Sequence, residues 1–370
     1  MENRQGEQQR GESMPIPVSE ALVEQGQAAA DKVDSLRKPG RYLVSSSLGG
    51  AFIGVGVVLL LSVGGPLLGA SSPFTKLVEG LVFAVALTLV VFAGAELTTS
   101  NMMTAVQGIF ARRCTVGNAV AVIVGSFVGN LIGSALFAWL VHGSGVITSG
   151  AAPGHAAPAL LLLTSVIKAK TAASGAALFF RAVLCNFLVC LAVWMAARTT
   201  SDGAKLMLIF WGILAFVASG FEHVVANMTY FSLGMFEHVP GATAAAFAHN
   251  LLLVGLGNLV GGCLLVGVVY GFLGGARRRG LPWIPPHAGS RRPCPPEHRY
   301  SGDHPREPPR PRDLPIMHEA FGLDAPDGRM VGHTSWPGSS PGRRAVARET
   351  AGTGRGEGAI LGGTWWSRAR

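Results

Sequence analysis

The sequence predicts an all-α integral membrane protein with six transmembrane helices, arranged as two inverted repeats of three helices. Three observations predict this fold. Hydrophobic residues make up 49% of the 370 residues and charged residues only 14%, against about 25% charged residues in soluble proteins. Long apolar stretches recur between about residues 42 and 274. One motif built on glycine, glutamate and asparagine occurs twice, at equivalent places in the two halves.

Six apolar stretches are long enough to cross a hydrocarbon core of about 30 Å. The second is interrupted by Gly94 and Glu96, and the fifth by Gly220, Glu222 and His223. The predicted spans cover about residues 42–70, 74–112, 116–141, 172–197, 206–236 and 243–273. This pattern excludes a disordered, collagen-like, coiled-coil or disulfide-rich secreted chain.

Basic residues near the ends of the spans predict their orientation. Those on one side are Lys32, Arg37, Lys38, Arg41, Arg112, Arg113, Arg198, Lys205 and Arg277 to Arg279. Those on the other side are Lys76, Lys168 and Lys170. Cytoplasmic loops carry an excess of Lys and Arg, so both termini are predicted to lie in the cytoplasm.

The predicted channel domain, residues 41–274, lies between two polar flanks. Residues 1–40 form a polar cytoplasmic segment without the pattern of a cleavable signal peptide. Residues 275–370 contain 16 Arg, no Lys and many Pro and Gly, which predicts a disordered tail. Most of the net charge of +9 lies in this tail, so the charge does not predict a nucleic-acid partner. Contact of Arg277, Arg278 and Arg279 with anionic lipid is the alternative interpretation.

The five cysteines predict neither a disulfide framework nor a metal site. No CxxC pair is present, and four of the five lie in or beside apolar segments, where cysteine behaves as a small hydrophobic residue. The sequence therefore predicts no metal and no cofactor.

Two motifs recur in both halves of the predicted channel. The pattern G-x-E-x-x-x-x-N-M begins at Gly94 and again at Gly220, and the pattern G-N-L-x-G begins at Gly129 and again at Gly257. The first pair is 126 residues apart and the second pair 128. With three spans in each copy, the two copies must be inverted.

Interrupted helices at equivalent places in inverted repeats indicate a transport site, because non-helical backbone inside a membrane needs protein or a water-filled cavity around it. The two breaks are expected to face each other. The half-helices that follow them present free N–H groups and a partial positive charge, which suit a small anion.

The polar residues of the repeated motifs have two interpretations. Glu96 and Glu222 are expected to support the breaks by accepting hydrogen bonds from free loop N–H groups, rather than to bind substrate directly. The repeated asparagines either join helices or line the pore; they are Asn101, Asn227, Asn130 and Asn258.

His223 distinguishes the two halves, because its counterpart in the first motif is Leu97. An ionisable side chain inside a membrane span is a functional candidate. His223 is therefore the first candidate for a transport residue, with packing as the alternative.

The motif residues closely resemble the formate/nitrite transporter family over about residues 37–274. The resemblance is carried by the segments 94–100, 185–195 and 218–228. The segments 86–94, 169–172 and 227–233 resemble the nitrite channel branch more than the formate branch. Because of this likeness to the nitrite branch, nitrite is the first substrate expected. The resemblance to the family also implies a homopentamer, an aquaporin-like fold and a separate pore in each protomer.

The resemblance also implies roles for single residues. It places Phe83 and Phe216 at a periplasmic constriction and Leu87, Leu97 and Val189 at a cytoplasmic constriction. It implies that the Thr99 hydroxyl faces a central histidine, His223, that Lys170 is a vestibule lysine, and that Asn186 and Asn258 are pore-region amides. Thr98 departs from the family, since many members have Phe there, and a wider or wetter cytoplasmic constriction is expected.

An anion without a partner in a low-dielectric constriction costs far more than its neutral conjugate acid. We therefore expect Lys170 to attract the anion, the half-helix N-termini and Thr99 to hold it, and His223 to supply a proton. Protons and a small anion are the expected ligands, and a lipid bilayer of the cytoplasmic membrane is the expected surroundings.

Other functions fit the sequence less well. A water or glycerol channel would need paired Asn-Pro-Ala loops, where this chain has Asn-Met. A membrane hydrolase would need a nucleophile or a His-Glu-x-x-His motif beside Glu222 and His223, so an enzyme is not expected. Formate, hydrosulfide and lactate stay open as substrates, as does the choice between a channel and a proton-coupled symporter.

Overall fold

The computed structural model describes residues 15–275, which lie in the first of two compact units, Met1–Pro293. The predicted tail lies outside the described residues except for Gly275. The described part is helical. Its α-helices are α1 Val18–Ser35, α2 Pro39–Gly69, α3 Thr75–Phe92, α4 Thr98–Phe110, α5 Val116–Ser144, α6 Pro158–Ala172, α7 Gly175–Ala196, α8 Asp202–Ala218, α9 Val224–Phe236, α10 Ala244–Leu259 and α11 Val269–Gly275.

Five of the described helical segments are long and apolar enough to cross a membrane. These are α2, α3, α5, α7 and the continuous segment Ala244–Gly275, in which the π-helix Val260–Val268 joins α10 to α11. The predicted second span corresponds to α3 followed by α4, and the predicted fifth span to α8 followed by α9.

Glycine ends the helix before each non-helical segment. Gly94 has φ +78° and Gly220 has φ +71°, a left-handed conformation that residues with a Cβ adopt at a cost. The next N–H closes the helix end on the same pattern in both places: Ala95 N donates to Val90 O at 2.9 Å, and Phe221 N donates to Phe216 O at 3.1 Å. The repeated motif therefore begins with a helix C-cap in both halves.

Two described helices were not predicted from the sequence. Helix α1 lies in the predicted polar N-terminal segment, and its small buried face, Ala21, Leu22, Gly26 and Ala29, packs against α4 and α11. Helix α6 has 15 residues, which is too short for a span, and it packs against α2 and α9. Both helices bring a lysine to a break, as described below.

The helices pack closely through small residues, as is typical of membrane helices. Helices α2 and α5 approach so closely that a Cβ on Gly133 would clash with the carbonyl oxygen of Ser47. Most buried apolar side chains form one cluster that includes Leu87, Leu97, Val189 and Phe216. The cluster includes Leu97 in the first break and Val224 directly after the second.

Candidate transport site

The first residues after the two breaks touch each other. The Thr99 Oγ1 atom at the start of α4 lies 3.1 Å from the His223 Nε2 atom, which immediately precedes α9. The ring also caps α9, because Ala226 N donates to His223 Nδ1 at 3.2 Å. When Nδ1 accepts, the proton of the neutral ring is on Nε2, which then donates to Thr99. The expected meeting of the two breaks and the expected contact of Thr99 with His223 are both present.

Two asparagines hold the breaks in the same way. Asn130 Oδ1 accepts from Thr98 N at 2.9 Å, and its Nδ2 donates to Ser46 O at 2.7 Å and Glu96 O at 2.8 Å. In the other half, Asn258 Oδ1 accepts from Val224 N at 2.8 Å, and its Nδ2 donates to Ala182 O at 2.8 Å and Glu222 O at 2.9 Å.

Each of these fully buried amides satisfies the first N–H of a half-helix and a carbonyl of the adjacent break. Of the two interpretations of these asparagines, the hydrogen bonds agree with the joining of helices. Asn186, which the resemblance places in the pore region, donates to Thr99 O at 3.2 Å and Asn258 O at 2.7 Å, and so links the two halves.

A lysine and an asparagine bind each of the two glutamates. Lys32 Nζ donates to Glu96 Oε2 at 2.7 Å, and Asn101 Nδ2 donates to the same oxygen at 2.9 Å. The other set is equivalent: Lys170 Nζ and Asn227 Nδ2 donate to Glu222 Oε2 at 2.6 Å and 2.8 Å.

The expectation that loop N–H groups donate to these carboxylates was therefore wrong about the donors. The loop N–H groups of Glu96 and Glu222 donate instead to Ser45 O and Arg181 O, both at 3.3 Å. The side-chain donors Lys32 and Lys170 come from α1 and α6, the two helices that were not predicted.

A cavity of about 330 Å³ leads to His223. Phe83 and Phe216 lie in its lining, with ring centroids 5.9 Å apart in an edge-to-face arrangement. The Phe216 ring stacks on the His223 ring at the same centroid distance, 5.9 Å. All five residues expected at the two constrictions belong to the apolar cluster. Of these, only Phe83 and Phe216 line the cavity, whereas Leu87, Leu97 and Val189 do not. The two constrictions stay a prediction.

Thr98 is fully buried and its hydroxyl donates to Ile123 O in α5 at 3.0 Å. Its side chain is thereby engaged with a neighbouring helix. The expectation of a wider cytoplasmic constriction stays a prediction.

Sequence reasoning missed two charged residues at the breaks. Lys32 had been counted only as a marker of orientation, and Arg181, which lines the cavity, had been given no role in transport. Arg181 is a cation in an otherwise apolar span next to the Lys170–Glu222 pair in space, and its charge in that segment was the signal available in the sequence.

A family model for formate/nitrite transporters matches residues 18–272. The chain belongs to the formate/nitrite transporter family. The family membership and the apolar helices together make it a multi-pass membrane protein, and the resemblance identified from the motifs is confirmed.

Curated members of the family are similar over most of their length. The nitrite transporter NirC of Salmonella typhimurium is 42% identical over 238 residues, which cover 64% of this chain and 84% of the relative. A probable formate transporter of Methanothermobacter thermautotrophicus is 38% identical over 244 residues, which cover 62% of this chain and 88% of the relative.

Solved structures of the family share the fold. An "FNT family ion channel" is 39% identical with a TM-score of 0.62, and covers 68% of this chain and 98% of its own. A "pentameric formate channel with formate bound" is 26% identical with a TM-score of 0.55, and the match covers 64% of this chain and 98% of that channel's chain. These relatives are transporters or channels, which supports a transporter rather than an enzyme at the level of the formate/nitrite transporter family.

Proposed function

We propose that this chain forms a homopentamer in the cytoplasmic membrane, and that each protomer conducts small monovalent weak-acid anions, nitrite first. In this proposal the six spans form two inverted repeats, with α3–α4 and α8–α9 as the broken second and fifth spans. The matching C-caps at Gly94 and Gly220 and the matching hydrogen bonds of Asn130 and Asn258 support this arrangement. The excess of Lys and Arg on one side supports cytoplasmic termini.

The contact of Thr99 with His223 at the end of the cavity is the observation that carries the proposal. Both half-helix N-termini begin there, and His223 is 4% exposed. An anion that enters is therefore attracted by two partial positive charges and meets the ring of a histidine. Desolvating an unpaired anion costs on the order of tens of kcal/mol in the idealised limit.

Proton transfer lowers that cost, because the neutral acid can pass an apolar constriction that excludes the anion. In our mechanism His223 takes up a proton before it gives one to the anion, so the ring is neutral imidazole before and after the step, and Thr99 orients the ring by accepting the hydrogen bond from Nε2. The neutral acid then passes Leu87, Leu97 and Val189. The proton that His223 takes up enters from the same side as the anion, so an anion and a proton cross the membrane together.

Formate is the second candidate substrate. One relative named as a probable formate transporter matches this chain at 38% identity, close to the 42% of the NirC relative. Nitrite and formate are both planar anions with two terminal oxygens, so a site of this kind suits both. Hydrosulfide and lactate are tested in the same assay.

Nitrite flux into proteoliposomes, with and without an inward proton gradient, tests the proposal. The wild-type protein should conduct nitrite faster with the gradient and acidify the lumen. His223→Asn keeps a hydrogen-bond acceptor for Ala226 N, but an amide side chain cannot take up and release a proton as a histidine ring does. We expect this variant to form the same oligomer and to lose about a hundredfold or more in gradient-driven flux, since general acid catalysis contributes about 10²–10⁴-fold.

His249→Asn is the matched control, because His249 is exposed on α10 and lies outside the cavity lining. It should behave like the wild type. Wild-type flux and pH dependence in His223→Asn would contradict the proton-transfer role, and absence of anion flux in the wild type would contradict the proposed function.

A further inference from the structure

The cavity in front of His223 is lined by five charged residues, which are Lys76, Glu79, Lys170, Arg181 and Glu222. Four of them form two ion pairs. Lys170 Nζ lies 2.6 Å from Glu222 Oε2, and Lys76 Nζ lies 2.7 Å from Glu79 Oε2. Both carboxylates are buried, with side chains 7% and 3% exposed. The charges of both lysines are therefore compensated.

Arg181 is the fifth charged residue, and within residues 15–275 its guanidinium has no hydrogen bond or ion pair to a side chain. The residue is exposed and lines the cavity. Its backbone is fixed to the break, because Glu222 N donates to Arg181 O at 3.3 Å. Among the described residues, the uncompensated positive charge of the cavity thus belongs to a residue whose backbone is hydrogen-bonded to Glu222, the neighbour of His223 in sequence.

We propose that Arg181 is the residue that captures the anion in this cavity, and that it selects planar anions with two terminal oxygens. This inference rests on the proposed function and names its substrate class. A guanidinium presents two parallel N–H groups in a fixed plane, which match the two oxygens of nitrite or formate. A hydrosulfide ion has one acceptor atom and cannot use both N–H groups.

Lys170 is less suited to capturing the anion than the sequence predicted. Its side chain is only 11% exposed, and its ammonium already binds Glu222. An anion that bound Lys170 would compete with a buried carboxylate, and displacing the pair would leave Glu222 without its charged partner. Arg181 can bind an anion without breaking an existing ion pair.

The test compares two variants of Arg181 in proteoliposomes. Arg181→Lys keeps the charge and loses the planar pair of donors, and Arg181→Gln removes the charge. The half-saturating concentration is measured for nitrite, formate and hydrosulfide. For nitrite and formate, we expect Arg181→Gln to raise the half-saturating concentration about tenfold or more, and Arg181→Lys to raise it about threefold. The reason is that charge-assisted hydrogen bonds are stronger than neutral ones. For hydrosulfide, Arg181→Lys should match the wild type.

Lys168→Gln is the control variant. Lys168 is an exposed cation on α6 that does not line the cavity, so its removal should leave all three values unchanged. Size-exclusion chromatography with light scattering checks that each variant keeps the wild-type oligomer.

The outcomes separate the two proposals. If Arg181→Gln conducts nitrite as fast as the wild type, with an unchanged half-saturating concentration, then the role of Arg181 is overturned but the proposed function is not. Equal effects of Arg181→Lys on nitrite and hydrosulfide would overturn the selection of two-oxygen anions. No anion flux in the wild type would overturn the proposed function and this inference with it.

Discussion

Lys32 in the N-terminal helix lies 2.7 Å from Glu96 in the first break, across 64 residues of sequence. The pair reproduces the pairing of Lys170 with Glu222 in the second break. A helix outside the predicted spans therefore supplies the cation that compensates a carboxylate inside them. The pair fastens α1 to the break that precedes Thr99.

We predict that Lys32→Met destabilises the protein by about 1–3 kcal/mol. The value lies below that for a fully buried pair because these side chains are 22% and 17% exposed. Thermal unfolding in detergent measures the loss, and hydrogen exchange of α1 locates it. Glu96→Gln added to Lys32→Met should recover much of it, because no uncompensated charge remains.

The control for this prediction is Lys205→Met, which breaks an exposed pair with Asp202. Exposed pairs contribute little, so its effect should be small. A destabilisation by Lys32→Met no larger than that of Lys205→Met would contradict the structural role of Lys32.

We predict that Asn258→Asp and Asn130→Asp destabilise the protein by similar amounts, about 1–3 kcal/mol each. Each change replaces an NH₂ donor by an oxygen that faces two carbonyl oxygens. The same thermal unfolding experiment measures both, with Asn118→Asp, a partly exposed side chain at the start of α5, as control. A clear difference between the two variants would argue against the equivalence of the two halves.

We predict that Lys170→Ala lowers flux at low anion concentration and that Lys170→Glu lowers it further. Added salt should reduce both effects only in part, because the Lys170 side chain is 11% exposed and salt screens buried charges less than exposed ones. The salt effect should be smaller than for Arg181→Gln, since Glu222 already compensates Lys170. Initial rates at two ionic strengths decide this, and rates equal to the wild type throughout would leave Lys170 as an anchor of α6.

We predict that truncation after Gly280 preserves the oligomer and the flux. The family match ends at residue 272, before the Arg-rich tail begins. Deletion of residues 1–35 is the contrasting variant, because it removes α1 and Lys32 and should lower stability. Loss of membrane insertion in the truncated protein would show that the tail is required.

The sequence by itself determined the features that are local or repeated. Apolar runs predicted the long helices, since their length matches a bilayer. The recurrence of Gly, Glu and Asn predicted two equivalent breaks, and the exchange of Leu97 for His223 identified the residue that differs between them. These features can be recognised in the sequence alone because helix length and backbone conformation depend on residues that are close together in the chain.

Only the tertiary structure decided which side chains meet. Lys32 and Glu96 are 64 residues apart, and Lys170 and Glu222 are 52 apart, so no periodicity relates them. The ion pair of Lys170, and the lack of a side-chain partner for Arg181 within residues 15–275, likewise depend on where α6 and α7 pack beside the second break. Charge compensation depends on distances in space, and those distances exist only once the helices are packed.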